Sequence, residues 1–302
     1  MTPRSVLGFA IALGLLCAVS AAAAVAWRNY RAVYLDYVRW PVSAEAAHPE
    51  LAGIPNLREV RFKRRDGEAI AGWYAPTHNG ATILLMHGTN ADRATVLPET
   101  RSLAAAGFGV LAFDWAGYGF SGGRADWGPG ERSALIAALD WLSAQPGVDP
   151  RRIGAYGFSM GSYSLAQTAA LDSRIRAVVL AGVPNDLVKD SRTDHRKWGP
   201  LSAWPARWAF DGHFGDGPDA VSAALAASRI APRPLLVIGG SADTVVSERV
   251  VREVYDAAHE PKDLWIIPGA QHGEYPQAAG DAYGNRLASF FGGALGVTEP
   301  SQ

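Results

Sequence analysis

The stretch Ile153-Gly-Ala-Tyr-Gly157-Phe158-Ser159-Met160-Gly161-Ser-Tyr-Ser-Leu-Ala166 decides the fold. Its first residues form a short apolar run of strand length, and Met160 to Ala170 reads as a helix. Between them lies the pattern G-x-S-x-G, where strand, turn and helix follow without a spacer. That context places Ser159 on a sharp, strained turn at the end of a strand, with a glycine on either side so that neighbouring backbone can come close.

Working outward, the same kind of apolar run recurs at Thr82-Ile-Leu-Leu-Met86, Gly109-Val-Leu-Ala-Phe113, Ala177-Val-Val-Leu180, Pro234-Leu-Leu-Val-Ile238 and Leu264-Trp-Ile-Ile267. Helical stretches separate the runs, at Arg93 to Ala106, Gly130 to Ala144, Ser247 to Ala258 and Gly280 to Phe291. Strands apolar on both faces and joined by crossovers imply a mostly parallel, twisted sheet with helices on both faces, an α/β fold. Before the first run, Arg58-Glu-Val-Arg-Phe-Lys63 and Ala69-Ile-Ala-Gly-Trp-Tyr74 flank an Asp66-Gly67 turn and predict an antiparallel hairpin of edge strands. The alternation breaks only between Pro184 and about Ala227. That segment carries Trp198, Trp204, Trp208, Phe210 and Phe214 among glycines and prolines, and it reads as an inserted cap.

A serine hydroxyl is a weak nucleophile unless a base takes its proton and a third group holds that base in one tautomer. Asp243, in Gly239-Gly-Ser-Ala-Asp243, and His272, in Pro268-Gly-Ala-Gln-His272-Gly273, each follow a predicted strand. Parallel strands end at one common edge, so Ser159, Asp243 and His272 converge there although they lie far apart in the chain. Asp114 also follows a strand and competes with Asp243. It falls before the serine, within a glycine-rich loop, and Asp243 is the preferred acid.

These motifs, in the order Ser, Asp, His, resemble the α/β-hydrolase superfamily of serine hydrolases over about Leu57 to Phe291. His87-Gly-Thr89 after a strand extends the resemblance, as does Phe113-Asp-Trp-Ala-Gly-Tyr-Gly-Phe-Ser-Gly-Gly123, which is similar to the D-x-x-G-x-G-x-S loop of many members. Within the superfamily the chain looks most like the single-pass, membrane-associated hydrolases of the Bem46 and ABHD13 type. The resemblance implies Ser159 as nucleophile, His272 as base and Asp243 as its orienting acid. It also implies an oxyanion hole made by the backbone N–H of Met160 and that of Thr89, or alternatively Asn90. His87 would then shape the oxyanion loop.

Other readings are weaker. Gly117-Tyr-Gly119-Phe-Ser-Gly122 fits G-x-G-x-x-G, but Gly and Pro follow where a phosphate-binding helix should already run, so no dinucleotide cofactor is expected. No H-E-x-x-H pattern occurs among the 7 histidines, and no catalytic metal is expected. His195 and His213 lie in the cap. The net charge of -1 and the lack of a basic run argue against nucleic acid as a partner. Cys17 is the only cysteine and can form no internal disulfide.

Val6 to Ala26 contains no charge, with Arg4 before it and Arg28 and Arg31 after it. The run is long enough to span a hydrocarbon core of ~30 Å. Its small-residue second half also fits a signal peptide cleaved near Ala22-Ala23-Ala24. Trp27, Tyr30, Tyr34, Tyr37 and Trp40 read as an interfacial aromatic set or, equally, as side chains that pack on the domain. The expected organisation of the 302 residues is a signal anchor or signal peptide over 1–27, a membrane-proximal linker over 28–56, and an α/β-hydrolase domain over 57–295 with the cap at about 184–227.

The expected activity is cleavage of a carboxylic ester or thioester through an acyl-enzyme, with an acyl or lipid-like substrate favoured by the aromatic cap. A peptidase or amidase of the same fold is the alternative enzyme, although such enzymes generally carry a large extra domain. The alternative without chemistry is a membrane-tethered binding module, whose usual sign would be a lost triad residue.

Overall fold

A computed structural model describes residues 3–34, 42–89, 91–123, 125, 128–186 and 222–297. Two units are distinguished along the chain. From the first comes helix α1 (Pro3–Tyr34), opened by a proline in its first turn and rich in alanine and leucine, both good helix formers. The segment Gly8–Arg28 is long and apolar enough to cross a membrane and none of it is buried. Phe9, Leu16 and Val19 are exposed, an arrangement suited to lipid and costly in water. Trp27 is exposed as well, the side chains of Tyr30 and Tyr34 are outside the description, and Tyr37 and Trp40 lie outside the described residues.

The second unit is built on eight strands: β1 (Arg58–Lys63), β2 (Ala69–Ala75), β3 (Thr82–Met86), β4 (Gly109–Phe113), β5 (Ile153–Phe158), β6 (Ile175–Ala181), β7 (Leu235–Gly240) and β8 (Lys262–Ile267). Their order is β1-β2-β4-β3-β5-β6-β7-β8. Strands β3 to β8 are parallel, while β1 and β2 pair antiparallel at one side. Only β1 is an edge. The expectation of two edge strands is corrected for β2, which bonds β1 on one side and β4 on the other.

Around the sheet run α2 (Ala44–Ala47), α3 (Leu97–Ala105), α4 (Pro129–Ser143), α5 (Met160–Leu171), α6 (Ala223–Ala227), α7 (Glu248–Ala257), α8 (Tyr275–Ala279) and α9 (Asp281–Ala294). Side chains alternate across each strand, so consecutive apolar residues feed two separate cores. Leu84, Met86, Leu111, Phe113, Val178 and Leu180 pack under α4, α5, α6 and α7. Ile83, Leu85, Val110, Ala112, Val179 and Ala181 pack under α3 and α9. This two-sided burial is why the runs contain no alternating polar residues.

Two boundaries differ from the reading of the sequence. Residues 43–52, expected within a linker, dock on the domain: Ser43 N–H donates to Asp92 at 2.7 Å, Arg93 to the Ala46 carbonyl at 2.9 Å, and Arg101 to that of Ala52 at 2.6 Å. Helix α6, expected within the cap, buries Ala223, Ala226 and Ala227 in the core with α5 and α7, so these residues belong to the domain. The rest of the expected cap, 187–221, lies outside the described residues, with its aromatic side chains and His195 and His213. At the sheet edge opposite the strand ends that bear Ser159, Arg152 donates to the carbonyls of Asn79 (2.9 Å), Leu295 (2.9 Å) and Gly296 (3.1 Å).

Candidate active site

Ser159 sits between β5 and α5 with φ 53° and ψ -119°, a left-handed conformation that costs a non-glycine residue about 1–3 kcal/mol. Its N–H is tied to the Ala181 carbonyl at 2.8 Å, which anchors the turn to the neighbouring strand end. Gly161 explains why the motif needs glycine after the serine. A Cβ there would lie 2.5 Å from the His87 carbonyl oxygen and 2.7 Å from that of Met86, so only glycine lets α5 cross the end of β3.

The other expected residues converge on this turn. Ser159 Oγ lies 2.9 Å from His272 Nε2, and His272 Nδ1 lies 2.7 Å from Asp243 Oδ2. A carboxylate only accepts, so the ring proton sits on Nδ1 and Nε2 is left to accept from the serine hydroxyl. The Asp243 side chain is 0% exposed and that of His272 is 17% exposed, so the carboxylate is dry while the imidazole remains reachable. Burial pushes the Asp243 carboxyl up, but hydrogen bonds from His272 and Tyr275 and the N–H of Val246 outweigh it and hold it below its usual range.

Met160 opens α5, and Thr89 lies in the turn after Gly88. The backbone of that turn passes directly beside Ser159, since a Cβ placed on Gly88 would be 3.1 Å from Ser159 Cβ. Asn90, the alternative to Thr89, is outside the described residues. His87 braces this loop. Its Nδ1–H donates to the Gly88 carbonyl at 2.6 Å and its Nε2 accepts the Trp115 N–H at 3.2 Å, while the Trp115 indole donates back to the His87 carbonyl at 2.9 Å. Complete burial lowers its pKa to about 4, which keeps the ring neutral and this pattern fixed.

Asp114, the competing acid, is taken up elsewhere. It accepts from the Arg93 guanidinium at 2.9 Å, the Arg93 N–H at 2.8 Å and the Phe120 N–H at 3.0 Å, and both members of the ion pair are 0% exposed. The glycine-rich loop at 117–122 therefore wraps a carboxylate. Reading the sequence missed Arg93 as the partner of Asp114. It also missed Tyr275, whose hydroxyl donates to Asp243 Oδ2 at 2.6 Å. Neither residue belongs to a motif, and only the nearness of Tyr275 to His272 hints at its place. Among the described residues no cluster of three or more His, Cys, Asp or Glu has the form of a metal site.

Residues 95–298 match the prolyl oligopeptidase family. An uncharacterized protein of Mycobacterium tuberculosis is 31% identical over 229 residues, covering 73% of this chain and 74% of its own. A thiohydrolase of Aspergillus aculeatus, aneE, is 32% identical over 126 residues, 40% of each chain. Among solved structures, the Pyrococcus furiosus esterase Pf2001 superposes with a TM-score of 0.71 at 25% identity, covering 86% of this chain and 98% of that one.

Proposed function

The chain belongs to the prolyl oligopeptidase family, within the α/β-hydrolase superfamily, and from that premise we propose that it cleaves a carboxylic ester or thioester through an acyl-enzyme formed on Ser159. The observation that carries the reading is the unbroken chain from Ser159 Oγ through both nitrogens of His272 to Asp243, built around a nucleophile held at positive φ. As Oγ attacks the carbonyl carbon, Nε2 takes its proton and Asp243 stabilises the imidazolium. The N–H groups of Met160 and Thr89 receive the oxyanion, a contribution of about 3 kcal/mol per donor. The protonated ring then hands its proton to the departing alkoxide or thiolate. Water, deprotonated by the same nitrogen, releases the acid and restores the serine.

Similarity to an esterase and, over a shorter stretch, to a thiohydrolase favours an ester or thioester over a peptide. Helix α1 supports a site of action at a membrane surface and a lipid-like acyl group. The test is turnover of p-nitrophenyl esters of increasing chain length, an acyl thioester and a proline-containing peptide by the full chain, beside Ser159→Ala. Ester or thioester hydrolysis lowered by about 10⁴ or more in Ser159→Ala is the expected result. Undiminished turnover in that variant sinks the mechanism. Turnover of the peptide alone turns the reading to a peptidase, and silence towards every substrate and towards a fluorophosphonate label turns it to a binding module.

A further inference from the structure

Orienting a histidine requires one carboxylate oxygen, yet Asp243 receives four donors. Its Oδ1 accepts the N–H groups of Val245 and Val246, both at 2.8 Å. Its Oδ2 faces His272 at 2.7 Å and also accepts the Tyr275 hydroxyl at 2.6 Å. We propose that Tyr275 is a positioning residue of the triad, whose hydroxyl locks the Asp243 carboxylate and limits its basicity, and thereby sets the pH at which His272 can act. This inference rests on the triad reading above.

The domain is shaped around that hydroxyl. Tyr275 is 1% exposed. A Cβ on Gly182, just past β6, would stand 2.8 Å from the phenolic oxygen, and one on Gly240, the last residue of β7, would stand 3.0 Å from ring atom Cε1. Two strand ends are thus bare where the phenol enters, and Phe158, the neighbour of the nucleophile, meets the ring edge-on at 5.9 Å. Because α8 starts at Tyr275 with a proline in its first turn, the loop that presents His272 also delivers the phenol. Burial, reinforced by the Asp243 carboxylate, raises the phenol pKa far above 10, so it stays a donor at every working pH.

The effect on pH follows from charge sharing. A carboxylate oxygen that loses one of two donors keeps more charge for the other, holds the imidazolium more tightly and delays its loss of a proton. The titratable groups around Tyr275 are Asp243 on the loop after β7, His272 on its own loop, Tyr283 on α9, and Glu99 on α3 and Tyr156 on β5, which line the same small cavity and are hydrogen-bonded to each other. Burial raises Glu99 to about 7, so its titration must be kept out of the comparison.

The experiment therefore introduces Tyr275→Phe into the full-length Glu99→Gln chain and records kcat, KM and the pH profile of ester hydrolysis, with Ser159→Ala alongside. Expected are a kcat about tenfold lower, an unchanged KM, and an acid limb of kcat/KM moved up by ~0.5 pH unit. Replacing Tyr275 with 2,3-difluorotyrosine, a stronger donor of nearly the same shape, should move the limb down. A wild-type kcat and an unmoved limb overturn the inference, and if Tyr275→Phe fails to fold, an unmoved limb in the fluorinated protein does so alone. An active Ser159→Ala protein brings down the triad reading instead. An inactive one, beside an unaffected Tyr275→Phe, brings down only the role of Tyr275.

Discussion

Asp114 and Asp243 are the same residue type at the same kind of place, just past a parallel strand, and in the proposed mechanism their partners give them opposite tasks. Asp114 neutralises Arg93 inside the protein, both side chains being 0% exposed. Asp114→Asn strands a buried guanidinium and should lower stability by about 3 kcal/mol, read from urea unfolding, while the folded protein keeps most of its turnover. Asp243→Asn should do the reverse, leaving unfolding little changed and cutting kcat by about 10⁴ as His272 loses its tautomer. Equal losses of activity per folded molecule would show that the two carboxylates are not divided in this way. The sequence could rank these aspartates by motif and chain order. It could not supply the reason, because Arg93 is 21 residues from Asp114 and Tyr275 is 32 residues from Asp243. Side-chain partners brought together by folding leave no spacing to read.

Elements were legible where burial acts on both faces. Thr82–Met86 and Gly109–Phe113 are strands with the bounds read from the sequence, since an apolar run interrupted by no polar residue marks a strand between two helix layers. Helices α6 and α8 were not foreseen. Each is 5 residues long, too short to show helical periodicity, and α8 carries a proline in its first turn. The inner place of β2 was equally hidden, because a hairpin reads the same whether or not its second strand finds another neighbour. Helix α1 raises the element-scale question of anchor or signal. As an anchor, it keeps the full-length chain in the membrane pellet through an alkaline carbonate wash, and a chain begun at residue 42 stays in the supernatant. A mature protein whose sequencing starts just after Ala24 would identify a cleaved signal.

For the sheet domain as a whole, the response to pH reflects a carboxyl on the face away from α5. Glu99 is buried, accepts from the Tyr156 hydroxyl at 2.9 Å, and titrates at about 7 in place of 4.5. Below pH 4.5 it is neutral both folded and unfolded, and its contribution to stability is fully present. As pH rises through 7 that contribution is lost, because the unfolded chain gives up the proton more readily. Glu99→Gln has no such proton, so from pH 4.5 to 8 the variant should gain about 3 kcal/mol on the wild type in urea unfolding. A difference that stays constant with pH would mean that Glu99 does not titrate there. The far edge of the same domain is tied by Arg152, whose acceptors just after α9, Leu295 and Gly296, are main-chain carbonyls. Every amino acid brings such a carbonyl. Missense change at Leu295 or Gly296 therefore cannot delete the receiving half of this clasp, and its genetic burden rests on the codon for Arg152.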